Sequence, residues 1–106
     1  MQKLIFEFSS QQPAGGTLGL AIVGVVASGN LEVLVERTLQ SHICSVKIAT
    51  PTAGFEDVWR AVVTDFAARR KTGGLCISIN DCGARPDVVA LRLSQGLRLI
   101  DGNLRT

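Results

Sequence analysis

The sequence predicts an α+β fold of the two-layer sandwich type, in which two helices pack on one face of a mixed β-sheet. Five short runs rich in Val, Ile, Leu and Phe are separated by Gly, Pro, Ser and Asn, which is typical of strands and turns. Two segments in the second half repeat apolar residues at helical spacing. We therefore expect the order β-β-β-β-α-β-α within one domain that spans residues 1–106.

The N-terminal half contains four of the predicted strands, each an apolar run bounded by polar or turn-forming residues. In the third strand, apolar residues alternate with mainly acidic ones, which predicts one buried side and one solvent-facing side. The four strands are expected at Leu4–Phe8, Leu18–Ala27, Leu31–Arg37 and Ile43–Thr50.

The second and third strands are predicted to form a hairpin across Gly29-Asn30. A two-residue turn of type II′ requires a positive φ at its first central position, and Gly adopts this conformation without steric cost. Ser28 would then be the last residue before the turn, on a rigid edge and open to solvent. From the pattern alone, a structural serine is the simpler interpretation, because turns favour Ser for local hydrogen bonding.

The C-terminal half contains two predicted helices and the fifth strand. The first helix covers about Gly54–Arg70, with acidic residues in its first turn and basic residues in its last. The fifth strand, Leu75–Ile79, follows this helix, so we expect it to pair in parallel with the fourth strand through a crossover. The second helix is expected to begin at Pro86. The predicted buried faces are Phe55, Val58, Trp59, Val62, Val63 and Phe66 in the first helix, and Val89, Leu93, Leu97 and Ile100 in the second.

Composition excludes several classes of function. The net charge is only +2 and the basic residues are scattered, so a nucleic-acid surface is not indicated. No uncharged apolar run reaches the ~20 residues that a membrane-spanning helix needs, and no secretory signal is recognisable. Three widely spaced cysteines favour reduced thiols and a cytoplasmic protein. The mean hydropathy of +0.29 suggests that a partner covers part of the surface.

Few residues are suited to catalysis or to metal binding. His42 and Cys44 form a His-x-Cys pair, but neither Cys-x-x-Cys nor His-x₃-His spacing occurs, so no metal site is expected. Cys82 would need a base to act as a nucleophile, and His42 is the single histidine. We therefore expect a protein that carries a group or is modified, and not an enzyme in its own right.

The stretch between the fifth strand and the second helix is a candidate anion site. Backbone N–H groups at such a junction can bind anions, and Arg85 could reach a phosphate. Asp81 would act as a capping residue in the simpler interpretation of an ordinary turn.

Two segments of the chain resemble the acyl carrier (delta) subunit of malonate decarboxylase. The segment VVASGNLEVL, from Val25 to Leu34, resembles the modification-site segment of that family. The segment from Ile79 to Val89 is similar to a family segment that contains an Asp-x-Gly-Ala-x-Pro-x-Val turn and also enters a helix. The resemblance covers most of the chain. It departs at Ala27, where the family commonly has Gly, and at Asn30, where Asp is common.

The resemblance implies an acyl carrier subunit with no catalytic residue of its own. Ser28 would hold a phosphoribosyl-dephospho-CoA group through a phosphodiester, installed by a separate transferase, and Ala27, Gly29 and Asn30 would form the accessible turn around it. The thiol of the group would carry acetyl, which one partner subunit would exchange for malonyl. On another partner subunit the malonyl thioester would lose carbon dioxide, which regenerates acetyl. Asp81 and Arg85 would be possible contacts for phosphate or a partner. No metal, nucleic acid or membrane is implied.

Two alternatives remain open at the level of sequence. In the first, the chain is a small regulatory or anion-binding α+β domain, the turn from Asp81 to Pro86 binds the anion, and Ser28 is structural. In the second, the chain is a purely structural subunit whose apolar surface assembles a complex. The common helical acyl carrier proteins are a poor match, because their Asp-Ser-Leu motif is absent here.

Overall fold

The computed structural model describes residues 1–102 and confirms the predicted α+β class and element order. Alternating burial along the strands and the apolar stripes of the helices place the core between one sheet and one layer of helices. The strands are β1 (Gln2–Ser9), β2 (Leu20–Gly24), β3 (Asn30–Arg37), β4 (Ile43–Thr50) and β5 (Leu75–Cys82), and the helices are α1 (Glu56–Arg69) and α2 (Pro86–Ile100).

The five strands form one mixed sheet in the order β1-β4-β5-β3-β2. β4 and β5 are parallel, as predicted from the helix that separates them in sequence. The other pairs, β1 with β4, β3 with β5 and β2 with β3, are antiparallel. Because β3 and β5 run in opposite directions, the beginning of β3 lies beside the end of β5.

The two helices contact each other, and they cover different parts of the sheet. α1 packs against β1, whereas α2 packs against β2 and β3. α2 approaches the sheet closely at Gly96, where an added Cβ would lie 3.0 Å from Cγ2 of Val35. The core comprises mainly Leu4, Phe6, Leu31, Val33, Val35, Val46, Ile48, Ile77 and Ile79 from the sheet, with Trp59, Val63, Phe66, Val89, Leu93, Leu97 and Ile100 from the helices.

The predicted second strand, Leu18–Ala27, was too long. β2 ends at Gly24, where φ is +80° and an added Cβ would collide with the carbonyl oxygen of Leu31. This left-handed residue turns the chain out of the ladder, so the connection to β3 is a five-residue loop, Val25–Gly29. The fifth strand, in contrast, extends beyond the predicted Ile79, because its end continues to pair with the beginning of β3.

The first helix begins later than predicted, at Glu56, and its buried face is shorter. Trp59, Val63 and Phe66 are buried as expected, but Phe55 and Val58 are 50% and 43% exposed. These two side chains line an open cavity of about 460 Å³, together with Thr50 at the end of β4 and Asp81 near the end of β5. All four residues predicted for the buried face of α2 are buried. Neither helix is long and apolar enough to cross a membrane.

Candidate attachment site

The loop that carries Ser28 ends in a tight turn formed by residues 27–30. The backbone N–H of Asn30 donates to the carbonyl of Ala27 over 2.8 Å, which closes a four-residue β-turn. Gly29 has a φ of +76° and stands at the third position of this turn, whereas Ser28 has no positive φ. These features indicate a type II turn. The predicted II′ turn, with Gly29 and Asn30 as its two central residues, is therefore wrong, although the left-handed glycine was correctly expected.

Ser28 occupies the second position of the turn and is exposed. Its neighbour Gly29 has open space around it, because a Cβ added there would meet no atom within 4 Å. Ala27 is exposed and small, and Asn30 is half-buried. The hydroxyl of Ser28 is therefore accessible to a second protein from the side of the loop.

The structure brings the two segments singled out in the sequence into contact. The N–H of Gly29 donates to the carbonyl of Cys82 over 2.8 Å, and Asn30 is the register partner of Cys82 in the β3–β5 ladder. Leu31 is likewise opposite Asp81. The Ser28 turn is thus tied to the end of β5, directly before the turn that leads into α2.

Asp81 is buried, and both oxygens of its carboxylate have partners within the chain. Oδ2 accepts a hydrogen bond from Oγ1 of Thr50 over 2.9 Å, and Oδ1 accepts one from the N–H of Ala84 over 2.9 Å. The second bond makes Asp81 a capping group of the β5–α2 turn. The N-cap position of α2 itself belongs to Arg85, which makes no side-chain capping bond.

Arg85 points into solvent at the beginning of α2. Its side chain is 82% exposed, and its Nε lies 3.4 Å from Oδ1 of Asp87. An ion pair this exposed contributes little to stability, because water and salt screen it. Within residues 1–102, no hydrogen bond or ion pair joins this side chain to the Ser28 turn.

Arg92, on α2, reaches the Ser28 loop directly and was not predicted as a site residue. Its Nε donates to Oδ1 of Asn30 over 3.2 Å, and its Nη1 donates to Oε1 of Gln95 over 2.8 Å. Oδ1 of Asn30 also accepts from the N–H of Leu31 over 2.8 Å. The half-buried guanidinium is therefore held two residues from Ser28, against the turn.

The single histidine lies at the other end of the sheet. His42 precedes β4, which begins beside the start of β5. Cys82 is the last residue of β5, and the Ser28 turn lies beside it. At about 3.3 Å per residue, the eight residues of β5 separate these ends by roughly 20 Å. His42 and Cys82 therefore do not form a nucleophile–base pair.

The three thiols are free, and they differ in exposure. Cys44 and Cys76 are buried, and Cys82 is half-buried. Burial raises the pKa of the Cys44 thiol above its ordinary value, and the neighbouring Cys76 adds to this rise. Within residues 1–102, no group of three or more His, Cys, Asp or Glu side chains is arranged to hold a metal ion.

Comparison with known proteins identifies the family. The model of the malonate decarboxylase delta subunit (MdcD) family matches residues 19–100. The chain belongs to the malonate decarboxylase delta subunit family.

Proteins from several bacteria are similar over nearly the whole chain. The malonate decarboxylase acyl carrier protein of Bradyrhizobium diazoefficiens is 53% identical over 97% of this chain and 98% of its own length. The protein of the same name from Xanthomonas euvesicatoria pv. vesicatoria is 49% identical over 96% of this chain and 97% of its own length. A solved chain from a Pseudomonas malonate decarboxylase hetero-tetramer in complex with malonate superposes with a TM-score of 0.83, at 39% identity over 94% of this chain and 99% of that chain.

The delta-subunit match covers both segments that carried the resemblance in the sequence, the Ser28 loop and the turn after β5. Of the predicted site residues, Ala27, Gly29 and Asn30 surround Ser28, while Asp81 supports the neighbouring turn from within and Arg85 faces solvent. Arg92 is not among the predicted site residues, because its contact with the loop depends on the position of α2 over β2 and β3. The available signal was its place beside Val89 and Leu93, at the flank of the buried helix face.

Proposed function

We propose that this chain is the acyl carrier subunit of a malonate decarboxylase complex and that Ser28 is the attachment point of its prosthetic group, phosphoribosyl-dephospho-CoA. The observation that carries the proposal is an exposed serine hydroxyl on a tight turn, inside the region that matches the delta subunit family. When bound, the group supplies a thiol that carries the acyl unit as a thioester.

The residues around Ser28 fit such an attachment. Ala27 and Gly29 leave the hydroxyl open, so a transferase and a bulky donor can approach it. The hydrogen bond from Gly29 to Cys82 fixes the turn to the sheet, so that the serine is presented in one defined position. A phosphodiester at Ser28 would begin two residues before Asn30, which accepts a hydrogen bond from the cationic side chain of Arg92.

Under this proposal, the chain itself holds and presents the group, and acyl exchange and decarboxylation occur on partner subunits. Support comes from the solved relative, which is part of a hetero-tetramer, and from the separation of His42 from the Ser28 turn, which leaves the serine without a histidine base. The reduced thiols are consistent with a cytoplasmic protein. We propose that residues 1–106 form one carrier domain.

Intact-mass measurement of the chain co-expressed with its modifying enzymes tests the proposal. We expect one adduct of the mass of the phosphoribosyl-dephospho-CoA group, and its loss in Ser28→Ala, whose unfolding transition should match that of the unloaded wild-type chain. Ser41→Ala is the matched control, because Ser41 is also an exposed serine in a turn. An adduct that persists in Ser28→Ala would overturn the assignment of this residue.

The same measurement separates the proposal from the anion-binding alternative. A Ser28 that remains unmodified beside active transferase, in a chain that binds phosphate at the turn from Asp81 to Pro86, would favour a regulatory domain. Asp81 argues against that alternative, because its carboxylate is held inside the turn by Thr50 and Ala84 and would repel a second anion there.

A further inference from the structure

We propose that Arg92 forms a binding site for the phosphodiester on Ser28, so that helix α2 and the Ser28 loop together hold the attachment phosphate. The inference rests on the proposed function, because the phosphate would arrive with the prosthetic group. It adds a residue and a role to that function. The site is a cationic one for an anion covalently fixed to the neighbouring turn.

The first observation is the position of the guanidinium. Nε of Arg92 lies 3.2 Å from Oδ1 of Asn30, the last residue of the turn whose second residue is Ser28. No other arginine forms a hydrogen bond with this turn within the described part of the chain. A substituent on the Ser28 hydroxyl therefore begins two residues before the residue that Arg92 contacts.

The second observation is that hydrogen bonds hold the Arg92 side chain in place but do not use all of its N–H donors. A guanidinium carries five N–H donors, and Arg92 gives one to Asn30 and one to Gln95, which leaves three for another acceptor. The two existing bonds fix the orientation of the guanidinium plane before any phosphate is present. Such preorganisation reduces the entropy lost when a bidentate arginine–phosphate contact forms.

The third observation concerns charge. The ion pairs of residues 1–102 involve Arg60, Arg69 and Arg85, so the half-buried Arg92 has no carboxylate within 4.0 Å. Its partners, Asn30 and Gln95, are neutral amides. A half-buried cation without a counter-ion favours a nearby anion, because water screens the pair less than it would on an open surface.

The fourth observation is the space through which Arg92 reaches the loop. Cδ of Arg92 lies 3.4 Å from the position that a Cβ on Gly24 would occupy. A larger side chain at the end of β2 would therefore crowd the arginine stem. Gly24 leaves this path open, and Gly29 leaves the space around the turn open on the other side of Ser28.

A charge comparison at position 28 tests the inference on the full chain. Ser28→Glu and Ser28→Gln place side chains of the same shape on the turn, and only the former is anionic. With Arg92 present, we expect the equilibrium constant for folding, measured by urea denaturation, to be about fivefold larger for Ser28→Glu than for Ser28→Gln at low ionic strength. The ratio should be smaller at high salt. With Arg92→Gln, this preference should disappear. Arg92→Lys, which keeps the charge without the planar fork, should retain part of it.

Arg98→Gln is the matched control, because Arg98 lies on the same helix and is also half-buried, but lines a different surface hollow with Arg70, Asp87 and Ser94. It should leave the preference for Ser28→Glu intact. The inference would be overturned if Ser28→Glu were favoured over Ser28→Gln equally with Arg92 and with Arg92→Gln. It would also be overturned if this preference for Ser28→Glu did not change with salt concentration. The salt series needs no change at Arg92, so it remains informative even if Arg92→Gln folds poorly.

The loaded chain provides a second readout that does not depend on decarboxylase activity. We expect the attached group to raise the unfolding midpoint of the wild-type chain relative to the unloaded chain, and to raise it less in Arg92→Gln. Intact mass shows whether loading has occurred. Absence of any adduct would contradict the proposed function. If loading occurred but raised the unfolding midpoint equally in the wild-type chain and in Arg92→Gln, this inference alone would be contradicted.

Discussion

At the scale of single residues, two glycines beside Ser28 share a left-handed backbone but differ in their surroundings. Gly24 has a φ of +80° and faces the carbonyl of Leu31, whereas Gly29 has a φ of +76° and open space. Both substitutions to alanine should cost the strain of a positive φ, and Gly24→Ala should also force apart β2 and β3. We expect unfolding free energies lower by about 1–2 kcal/mol for Gly29→Ala and by about 3 kcal/mol or more for Gly24→Ala.

Chemical denaturation of the two variants measures this difference. Gly29→Ala should also keep a detectable adduct on Ser28, because its added methyl group meets no neighbour. Equal destabilisation by the two substitutions would mean that contact with Leu31 contributes nothing at Gly24. Backbone conformation alone would then account for both glycines.

The buried thiol of Cys44 gives a pH-dependent prediction at the same scale. Because burial raises its pKa above the ordinary value of 9.0, the folded chain holds this proton more tightly than the unfolded chain does. The corresponding stability is fully present below the ordinary pKa and declines as the pH rises above it. Unfolding midpoints measured between about pH 8 and pH 10 should therefore fall less steeply in Cys44→Ala than in the wild-type chain.

At the scale of elements, Asp81 joins three parts of the chain: the end of β4, the end of β5 and the turn before α2. Asp81→Ala would remove both hydrogen bonds and leave the buried Oγ1 of Thr50 without this acceptor. We expect a loss of about 2–4 kcal/mol in unfolding free energy and a lower yield of adduct on Ser28, through distortion of the neighbouring turn.

Asp81→Asn is the conservative control for this junction, because an amide oxygen can still accept one of the two bonds. It should lose less stability and retain more adduct than Asp81→Ala. Arg85→Ala, at an exposed position of the same turn, should change stability by less than about 0.5 kcal/mol. An adduct yield unchanged by both Asp81 substitutions would separate this turn from the attachment site.

Elements with a strong period were predictable from sequence, whereas the details of the Ser28 loop were not. The apolar stripe of α2 repeats at Val89, Leu93, Leu97 and Ile100, and every one of these residues is buried. The apolar residues from Leu18 to Ala27 do not indicate that β2 ends at Gly24. A glycine with a positive φ cannot be distinguished, from the sequence alone, from a glycine within a strand. Two-residue and five-residue hairpin connections can therefore not be told apart by composition here.

At the scale of the whole molecule, the contacts that build the site depend on strand order. Asn30 and Cys82 meet only because β3 lies next to β5, and Arg92 meets the loop only because α2 covers β2 and β3. The parallel pairing of β4 and β5 followed from the length of the connecting helix, but hydrophobic patterns do not determine which strand fills the other side of β5. Family resemblance led to the proposal of Ser28 as the attachment point, and geometry was needed to find the contact of Arg92 with its loop.

The sheet also presents an apolar surface close to the proposed attachment site. β2 is an edge strand, and Leu20, Ile22, Val25 and Val26 along it and its loop are each 53–54% exposed. We expect Val26→Asp to weaken assembly with the partner subunits or loading by the transferase, while the unfolding transition remains unchanged. Co-purification and intact mass measure the two effects.

Ile5→Asp is the control for this prediction. Ile5 is 69% exposed on β1, the opposite edge strand of the sheet, and lies far from Ser28. If both aspartate variants assembled and loaded as well as the wild-type chain, the apolar edge near the loop would have no part in partner contact.

The hydrogen bond from Gly29 to Cys82 has a consequence for the order of events during synthesis. The two residues lie far apart in the chain, so the Ser28 turn acquires its fixed position only after the C-terminal half has emerged from the ribosome and β5 has been inserted between β3 and β4. A nascent or misfolded chain exposes the same serine without this geometry. A transferase that recognises the turn would therefore load finished carriers and spare defective ones.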